Sequence, residues 1–367
     1  MPVSILPEIG TQYCCRLGAV RIEENRELAP LTTFGVGGAA RWFVEAKTEA
    51  DVGDAVTWAR ERDAPLFVLG GGSNLLVADT GFDGLVLRVA LSGIRIEESA
   101  GPERVYEVAA GEDWDRFVQR SVEENCAGIE CLAGIPGTVG GTPVQNVGAY
   151  GQEVASTIVR VKAFDVRANS VVEMDGEECG FAYRRSRFNS ADKGRYVILS
   201  VRYRLVEGGA PSLKYADLQR AFAVGASPSL TQVAEAVRRI RATKGMLLVE
   251  GDPDCRSAGS FFKNPIVSEA QAAAVAEVAG MEPSKYPAGP DDAGRLKLSA
   301  AWLIESAGFS KGYALGRAAI SSKHTLALVN HGGATAAEIV ALAERIRSSV
   351  AARFSIELQM EPVMLGF

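Results

Sequence analysis

Histidine is nearly absent from the 367-residue chain, which has only His324 and His331. Six cysteines stand at 14, 15, 126, 131, 179 and 255, none spaced C-x-x-C. A structural zinc site needs closely spaced thiolate and imidazole ligands, so no metal is expected. In a reducing compartment the thiols should stay free. No apolar run approaches the roughly 18 residues that cross a bilayer, so no membrane insertion is expected. The opening MPVSILPEIG has no basic start and carries Pro2, Pro7 and Glu8, unlike a signal peptide; a cytoplasmic protein is expected. Basic excess is lacking too. The net charge of −6 argues against general nucleic-acid binding, so an anionic ligand must find a local cluster of arginines and lysines. No internal repeat and no low-complexity tract occurs.

What is present is average globular composition, 47% hydrophobic and 23% charged, in a chain long enough for two or three domains. One stretch departs from the average. Leu132–Glu153 reads LAGIPGTVGGTPVQNVGAYGQE, dense in glycine, with its one charge at the end. Neither helical nor strand periodicity survives there, yet the segment is too apolar for a solvated linker. Glycine lets the backbone approach a ligand closely, and Gln145 and Asn146 add amide donors and acceptors. A cradle for a planar polar ligand and an ordinary glycine-rich loop fit the composition equally well.

Along the chain, Gly35, Gly37 and Ala40 make a near match to a dinucleotide fingerprint. A strand pattern (RWFVEA) follows instead of the required helix. Thr48 and Asp51 form a capping box before the apolar face Val52, Ala55, Val56 and Ala59. PLFVL then runs into Gly70–Asn74 and a second apolar run. This strand–loop–strand cannot be a Walker loop, but its successive N–H groups suit an anion nest better than a plain hairpin turn. A strand at 104–111, a helix with Trp114, Phe117, Val118 and Val122 inward, and a β meander over 156–206 follow. FAYRRSRF, inserted before the last of these strands, fits a solvated edge or a carboxylate or phosphate clamp. A helix from Ser229 carries Arg238, Arg239, Arg241 and Lys244. AGSFFKNP, a helix opened by Ser268 with Gln271, KLSAAWLIESAG, a helix opened by Thr335 with Glu338, and a closing strand pattern broken at Glu361 and Pro362 complete the chain.

Taken in order, LGGGSNLLV, GIPGTVGGTPVQNVGAYGQE, YRRSRF and AGSFFKNP resemble the UDP-N-acetylenolpyruvoylglucosamine reductases, bacterial flavoproteins of peptidoglycan synthesis. TTFGVGG near the start and LALVN at 326–330 extend the resemblance from about Thr32 to Phe367. It implies an α+β fold: an FAD-binding half of the vanillyl-alcohol-oxidase type in two subdomains, and a C-terminal α+β substrate-binding domain. The expected division is 1–90 and 91–238 for the FAD half, with 355–367 joining the second of these, and 239–354 for the substrate domain. The implied partners are non-covalent FAD, NADPH as co-substrate and UDP-N-acetylglucosamine enolpyruvate; a monomer is expected.

The resemblance also implies roles for single residues. Ser260 matches the family's proton donor, Arg184 its catalytic arginine and Glu361 its catalytic glutamate. Gly71, Gly72, Ser73 and Asn74 match the flavin pyrophosphate region. Ile135, Pro136, Gly137, Gly140, Gln145, Asn146, Gly148, Ala149 and Tyr150 would line the isoalloxazine and ribityl part. Tyr183, Tyr215, Arg241, Lys244 and Asn264 are the expected substrate contacts. Two departures stand out: the segment between Lys244 and Ser260 is longer than the family's usual version, and about 20 residues precede the matching region, with Cys14 and Cys15 among them. Two other readings are a different flavin oxidoreductase and a non-catalytic flavin or UDP-sugar binder. The first leaves the C-terminal motifs unexplained. The second predicts loss of Arg184, Ser260 and Glu361, which are all present.

Overall fold

The computed structural model describes residues 13–17, 20–97, 101–288 and 292–367. The first unit contains β1 (Tyr13–Leu17), β2 (Val20–Glu27), β3 (Ala39–Ala46), α1 (Glu49–Glu61), β4 (Leu66–Leu69), β5 (Leu75–Val77) and β6 (Phe82–Val89). Its sheet has the order β1-β2-β3-β6-β4, with β3 and β4 both parallel to β6. The Thr48–Asp51 capping box opens α1, which crosses from β3 to β4 and buries Val52, Ala55, Val56, Trp58 and Ala59. Gly35 and Gly37 precede β3, a strand, so the fingerprint-like glycines serve another purpose. A Cβ on Gly37 would lie 2.4 Å from Val77 Cβ, and this glycine holds φ +108, so here glycine permits close packing of backbone on β5.

The second unit begins with β7 (Ile94–Glu97), β8 (Glu103–Ala109), α2 (Trp114–Glu123) and β9 (Cys126–Ala127). The glycine-rich stretch follows, containing only the small hairpin β10 (Gly148–Ala149) and β11 (Gln152–Glu153). After it come β12 (Ile158–Asp165), β13 (Ser170–Asp175), β14 (Tyr196–Glu207), α3 (Ala216–Arg220) and α4 (Leu230–Thr243). The sheet runs β13-β12-β14-β8-β7, with β9 also on β14. Trp114, Phe117, Val118 and Val122 of α2 are buried, each contributing roughly 2 kcal/mol by leaving water. One continuous core joins α1 and the first sheet to the second, so the described residues on either side of the expected boundary at 90 share their packing. The expected boundary at 238 falls inside α4, whose inner face belongs to this same core.

The third unit contains β15 (Ile266–Val267), α5 (Glu269–Ala279), β16 (Lys285–Pro287), β17 (Leu296–Leu298), α6 (Ala300–Ser306), β18 (Ala314–Leu315), β19 (Ala318–Ile320), β20 (Leu328–Asn330) and α7 (Ala336–Phe354). Two three-stranded sheets, β15-β17-β16 and β18-β19-β20, pack with these helices around a separate core. The closing segment forms a strand only over β21 (Val363–Leu365), which pairs in parallel with β5. It therefore joins the first unit, not the second as expected. The expected strand before Glu361 is absent, and Ile356 and Leu358 are instead buried in the third core. Among the described residues no helix is long and apolar enough to cross a membrane.

Candidate active site

One cavity of about 1980 Å³ runs between the three units. It is walled by the loop after β4, the glycine-rich stretch, the Tyr183–Arg184 turn, the end of α4 and the Ser257–Asn264 segment. Every expected site residue lines it except Asn146.

One end of the cavity is made of backbone. Gly71 and Gly137 face each other so closely that a Cβ on Gly71 would lie 2.6 Å from Gly137 Cα. Within the described chain, the N–H groups of Gly71, Gly72, Ser73 and Asn74 donate to no other group. Unused N–H groups on a loop with left-handed φ at Gly72 (+63) form an anion cradle, which fits the diphosphate of a dinucleotide. Asn74 Nδ2 donates to Gln145 Oε1 at 2.7 Å, tying this loop to the glycine-rich stretch. FAD therefore fits the residues present: a diphosphate on the first loop and an uncharged planar group along Ile135–Gly141.

Asn146 sits elsewhere. It is buried, its Nδ2 donating to Glu153 Oε2 (2.9 Å) and Ala182 O (3.1 Å), and its Oδ1 accepting from Ala155 N–H (3.1 Å). Its amide is fully engaged inside the protein, so it supports the Arg184 turn rather than a ligand. In that turn Ala182 and Arg185 exchange backbone hydrogen bonds, and Arg184 is held at φ +53, which a residue with a Cβ adopts only under constraint.

Arg184 and Glu361 meet in the cavity, Nε lying 3.1 Å from Oε1. The Nε–H is not aligned on the carboxylate, so the contact is a charge pair rather than a directed hydrogen bond. No other part of the guanidinium bonds within the described chain, so the fork is available to a ligand. Burial pushes the Glu361 carboxyl up, against the pull of Arg184 and Lys263. Backbone bonds place Ser260 beside this pair: Phe261 N–H donates to Leu326 O, Glu361 N–H to Phe261 O, and Lys263 N–H to Gln359 O. The Ser260 hydroxyl makes no hydrogen bond within the described chain.

The second basic cluster disperses. Arg238 pairs bidentately with Asp115, and Arg239 is an exposed partner of Glu235. Arg241 is buried, its Nε donating to Gly134 O and its Nη2 to Met246 O. Its guanidinium holds two loops together at the cavity wall. Lys244 does face the cavity, paired with Asp217 at 2.7 Å and 5.9 Å from the Tyr150 ring centroid. Tyr150 and Tyr215 pack edge to face at 5.5 Å. In the first cluster, Arg185 is exposed and Arg187 pairs with Asp192. Asn264 Oδ1 accepts from Ala300 N–H at the start of α6, which fixes the amide at the cavity wall.

Comparison with known proteins bears on this arrangement directly. Residues 252–365 match the C-terminal domain model of UDP-N-acetylenolpyruvoylglucosamine reductase, and residues 40–175 match an FAD binding domain. A UDP-N-acetylenolpyruvoylglucosamine reductase of Streptomyces coelicolor is 48% identical over 349 residues, covering 92% of this chain and 89% of the relative. One from Thermobifida fusca is also 48% identical, covering 93% and 97%. The chain belongs to the UDP-N-acetylenolpyruvoylglucosamine reductase family. A crystal structure of the enzyme from Thermus caldophilus agrees, with a TM-score of 0.65 at 27% identity over 94% of this chain and 99% of that one. Like the family, the chain is an oxidoreductase with an FAD-binding domain on an α+β fold.

Membership in the reductase family leaves some cavity residues that sequence reasoning missed. Lys297 lies 4.3 Å from the Tyr183 ring centroid, its ammonium pKa lowered chiefly by burial. His324 also lines the cavity. Both sit in segments whose local pattern reads only as strand or turn. The one available signal was the scarcity of histidine, which makes a half-buried one worth placing.

Proposed function

We propose that this chain reduces the enolpyruvyl ether of UDP-N-acetylglucosamine to UDP-N-acetylmuramate, with NADPH as reductant and non-covalently bound FAD. The observation that carries the reading is the Arg184–Glu361 pair in a cavity that Ser260 also lines and whose other end is bare backbone. FAD, held along Gly71–Asn74 and Ile135–Gly141, would supply the hydride chemistry that links NADPH to the vinyl CH2 carbon.

The protein's own residues account for the rest. Hydride addition places negative charge on the carbon beside the substrate carboxylate. The open guanidinium fork of Arg184 can bind that carboxylate and stabilise the enolate-like charge as it develops. The Ser260 hydroxyl then supplies a proton to this carbon. Serine is a weak acid, so the charge it leaves needs support, which Lys263 and Asn264 can give. Glu361, whose carboxyl burial pushes up against the pull of Arg184 and Lys263, can orient the relay while polarising the carboxylate. Tyr183 forms the wall beside Arg184. The Gly71–Asn74 cradle holds the flavin diphosphate, and Tyr150, Tyr215 and Lys244 gather at the nucleotide end. The reaction makes a cell-wall precursor from soluble nucleotides, which fits a cytoplasmic enzyme.

Two measurements test the reading. Purified protein should be yellow and convert the enolpyruvyl substrate with NADPH; colourless protein that cannot be reconstituted with FAD would sink it. Ser260→Ala should keep NADPH-dependent flavin bleaching at the wild-type rate and lose substrate turnover. Equal loss of both half-reactions would make Ser260 a binding residue instead.

A further inference from the structure

His324 has no part in the chemistry above, yet it is held with unusual completeness. Ser321 Oγ accepts from the N–H groups of Lys323 and His324 at 3.0 and 3.3 Å. Buried Asp254 accepts from Ser322 N–H and Ser322 Oγ–H at 2.9 and 2.6 Å. The next turn residue, Lys323, pairs with Asp252. Gly245, directly after Lys244, packs into the same network: a Cβ there would lie 3.0 Å from Asp254 Cβ and 3.4 Å from Ser321 Oγ. The turn carrying His324 is thus fastened to the loop carrying Lys244, and both side chains face one end of the cavity.

The ring's orientation fixes its chemistry. Leu326 N–H donates to His324 Nδ1 at 3.0 Å, so a neutral ring must carry its proton on Nε2. Nε2 makes no hydrogen bond within the described chain and is not among its sealed polar atoms. Burial, reinforced by the positive charge of Lys244 and Lys311, keeps the ring neutral through physiological pH. The outcome is a fixed, uncharged donor next to a lysine.

We propose that His324 Nε2–H donates to a diphosphate oxygen of a bound nucleotide, with Lys244 supplying the charge and His324 the direction. The assignment rests on the functional reading above, and the diphosphate has two sources there: the UDP-sugar and the nicotinamide dinucleotide. A neutral donor suits this place, because a second fixed cation beside Lys244 would repel it whenever the site was empty.

Two isosteric variants separate ligand contact from turn support. In His324→Asn the amide overlays Nδ1, keeping an acceptor for Leu326 N–H and losing reach into the cavity. In His324→Gln the amide overlays Nε2 and keeps the reach. Binding to the FAD-loaded protein is measured by calorimetry with UDP-N-acetylglucosamine and, separately, with NADP+. His324→Asn should weaken one of them about tenfold or more, the loss of one hydrogen bond to a charged group, with His324→Gln close to wild type. Which ligand weakens identifies the source. Equal binding of both ligands by His324→Asn and wild type overturns the proposal, as does the reverse pattern, with His324→Gln weak and His324→Asn normal. With only two histidines, the Nε2–H of His324 can also be followed by NMR in the unmutated protein. Its signal should move on addition of the ligand, and a stationary signal under saturation counts against the contact even if neither variant folds. Wild-type protein that binds neither ligand would instead remove the functional reading, and this assignment with it.

Discussion

The two ends of the cavity are built from different materials. At the Gly71–Asn74 and Ile135–Gly141 end the protein offers main-chain N–H groups and almost no charge. At the other end it offers Arg184, Lys263, Lys297, Glu361 and the Ser260 hydroxyl. A tightly held cofactor needs shape and many weak, fixed donors, which backbone supplies with little loss of side-chain entropy. A reacting carbon needs concentrated charge that matters only as the transition state forms. The contrast implies that damage to the first end should appear as loss of binding and fold. At the second end it should appear as loss of rate in a protein that still folds.

Arg184 gives the sharpest break. Its left-handed φ of +53 means that Arg184→Gly relieves strain while removing the guanidinium. Turnover should fall by roughly 10²–10³ at saturating substrate, the cost of removing one transition-state donor, with flavin content and melting temperature unchanged or slightly raised. A variant that melts early, or one that keeps its rate, would place Arg184 among the structural residues.

Gly72 provides the converse. A Cβ there would lie 1.9 Å from Leu31 O, a backbone atom that cannot swing aside, at φ +63. Gly72→Ala should lose roughly 3 kcal/mol or more of stability in urea titrations and purify with less FAD. An Ala variant of unaltered stability would show that this loop tolerates movement and that its glycines serve the ligand alone.

The part of the cavity around Lys244 carries a pH signature. Burial depresses His324 from its ordinary 6.5 to about 4, against which Glu305 on α6 pulls upward and Lys244 and Lys311 push further down. A base whose folded-state pKa is lowered binds fewer protons when folded. Its neutral form therefore costs nothing above pH 6.5, and stability is lost as pH falls from about 6.5 to 4. After allowance for partial exposure the loss is on the order of 2 kcal/mol, and the uncharged His324→Asn should lack that share of it in melting curves at pH 7 and 4.5. Identical pH profiles would mean that the ring already has full access to solvent.

These outcomes also explain what could be read from the chain alone. Local chemistry was legible. The capping boxes at Thr48, Ser229, Ser268 and Thr335 all open the helices their sequences promised, because each is decided within four residues. That Ser260 and Glu361 line one cavity was legible only through family resemblance, since each alone reads as a turn or strand-end residue. What stayed hidden depends on distant parts of the chain. The pairing of β21 with β5 joins segments nearly three hundred residues apart, and no local pattern records it. Asn146 was misread because an amide in a glycine-rich loop looks the same whether it meets a ligand or Ala182 O. Arg241 shows a similar limit: a cationic stripe on α4 does not reveal that one member turns inward to backbone carbonyls.

The smallest expected effect tests how firmly the charged end is attached to the backbone end. Asp79, in the turn between β5 and β6, accepts from Ala336 N–H at 2.7 Å and Ala337 N–H at 2.9 Å, in the first turn of α7. A carboxylate from one unit thus caps a helix of another, where unpaired N–H groups and the helix dipole favour negative charge. Thr33 Oγ–H donating to Ser257 O at 2.5 Å and Asn330 Nδ2–H donating to Phe34 O at 2.9 Å cross the same boundary. Because these links and the β21–β5 pairing share the load, Asp79→Ala should cost only about 1 kcal/mol, a few degrees in melting temperature, with flavin content and KM unchanged. A rise in KM with intact flavin would show that the cap also sets the spacing between the two ends, and that their separation is itself tuned for the substrate.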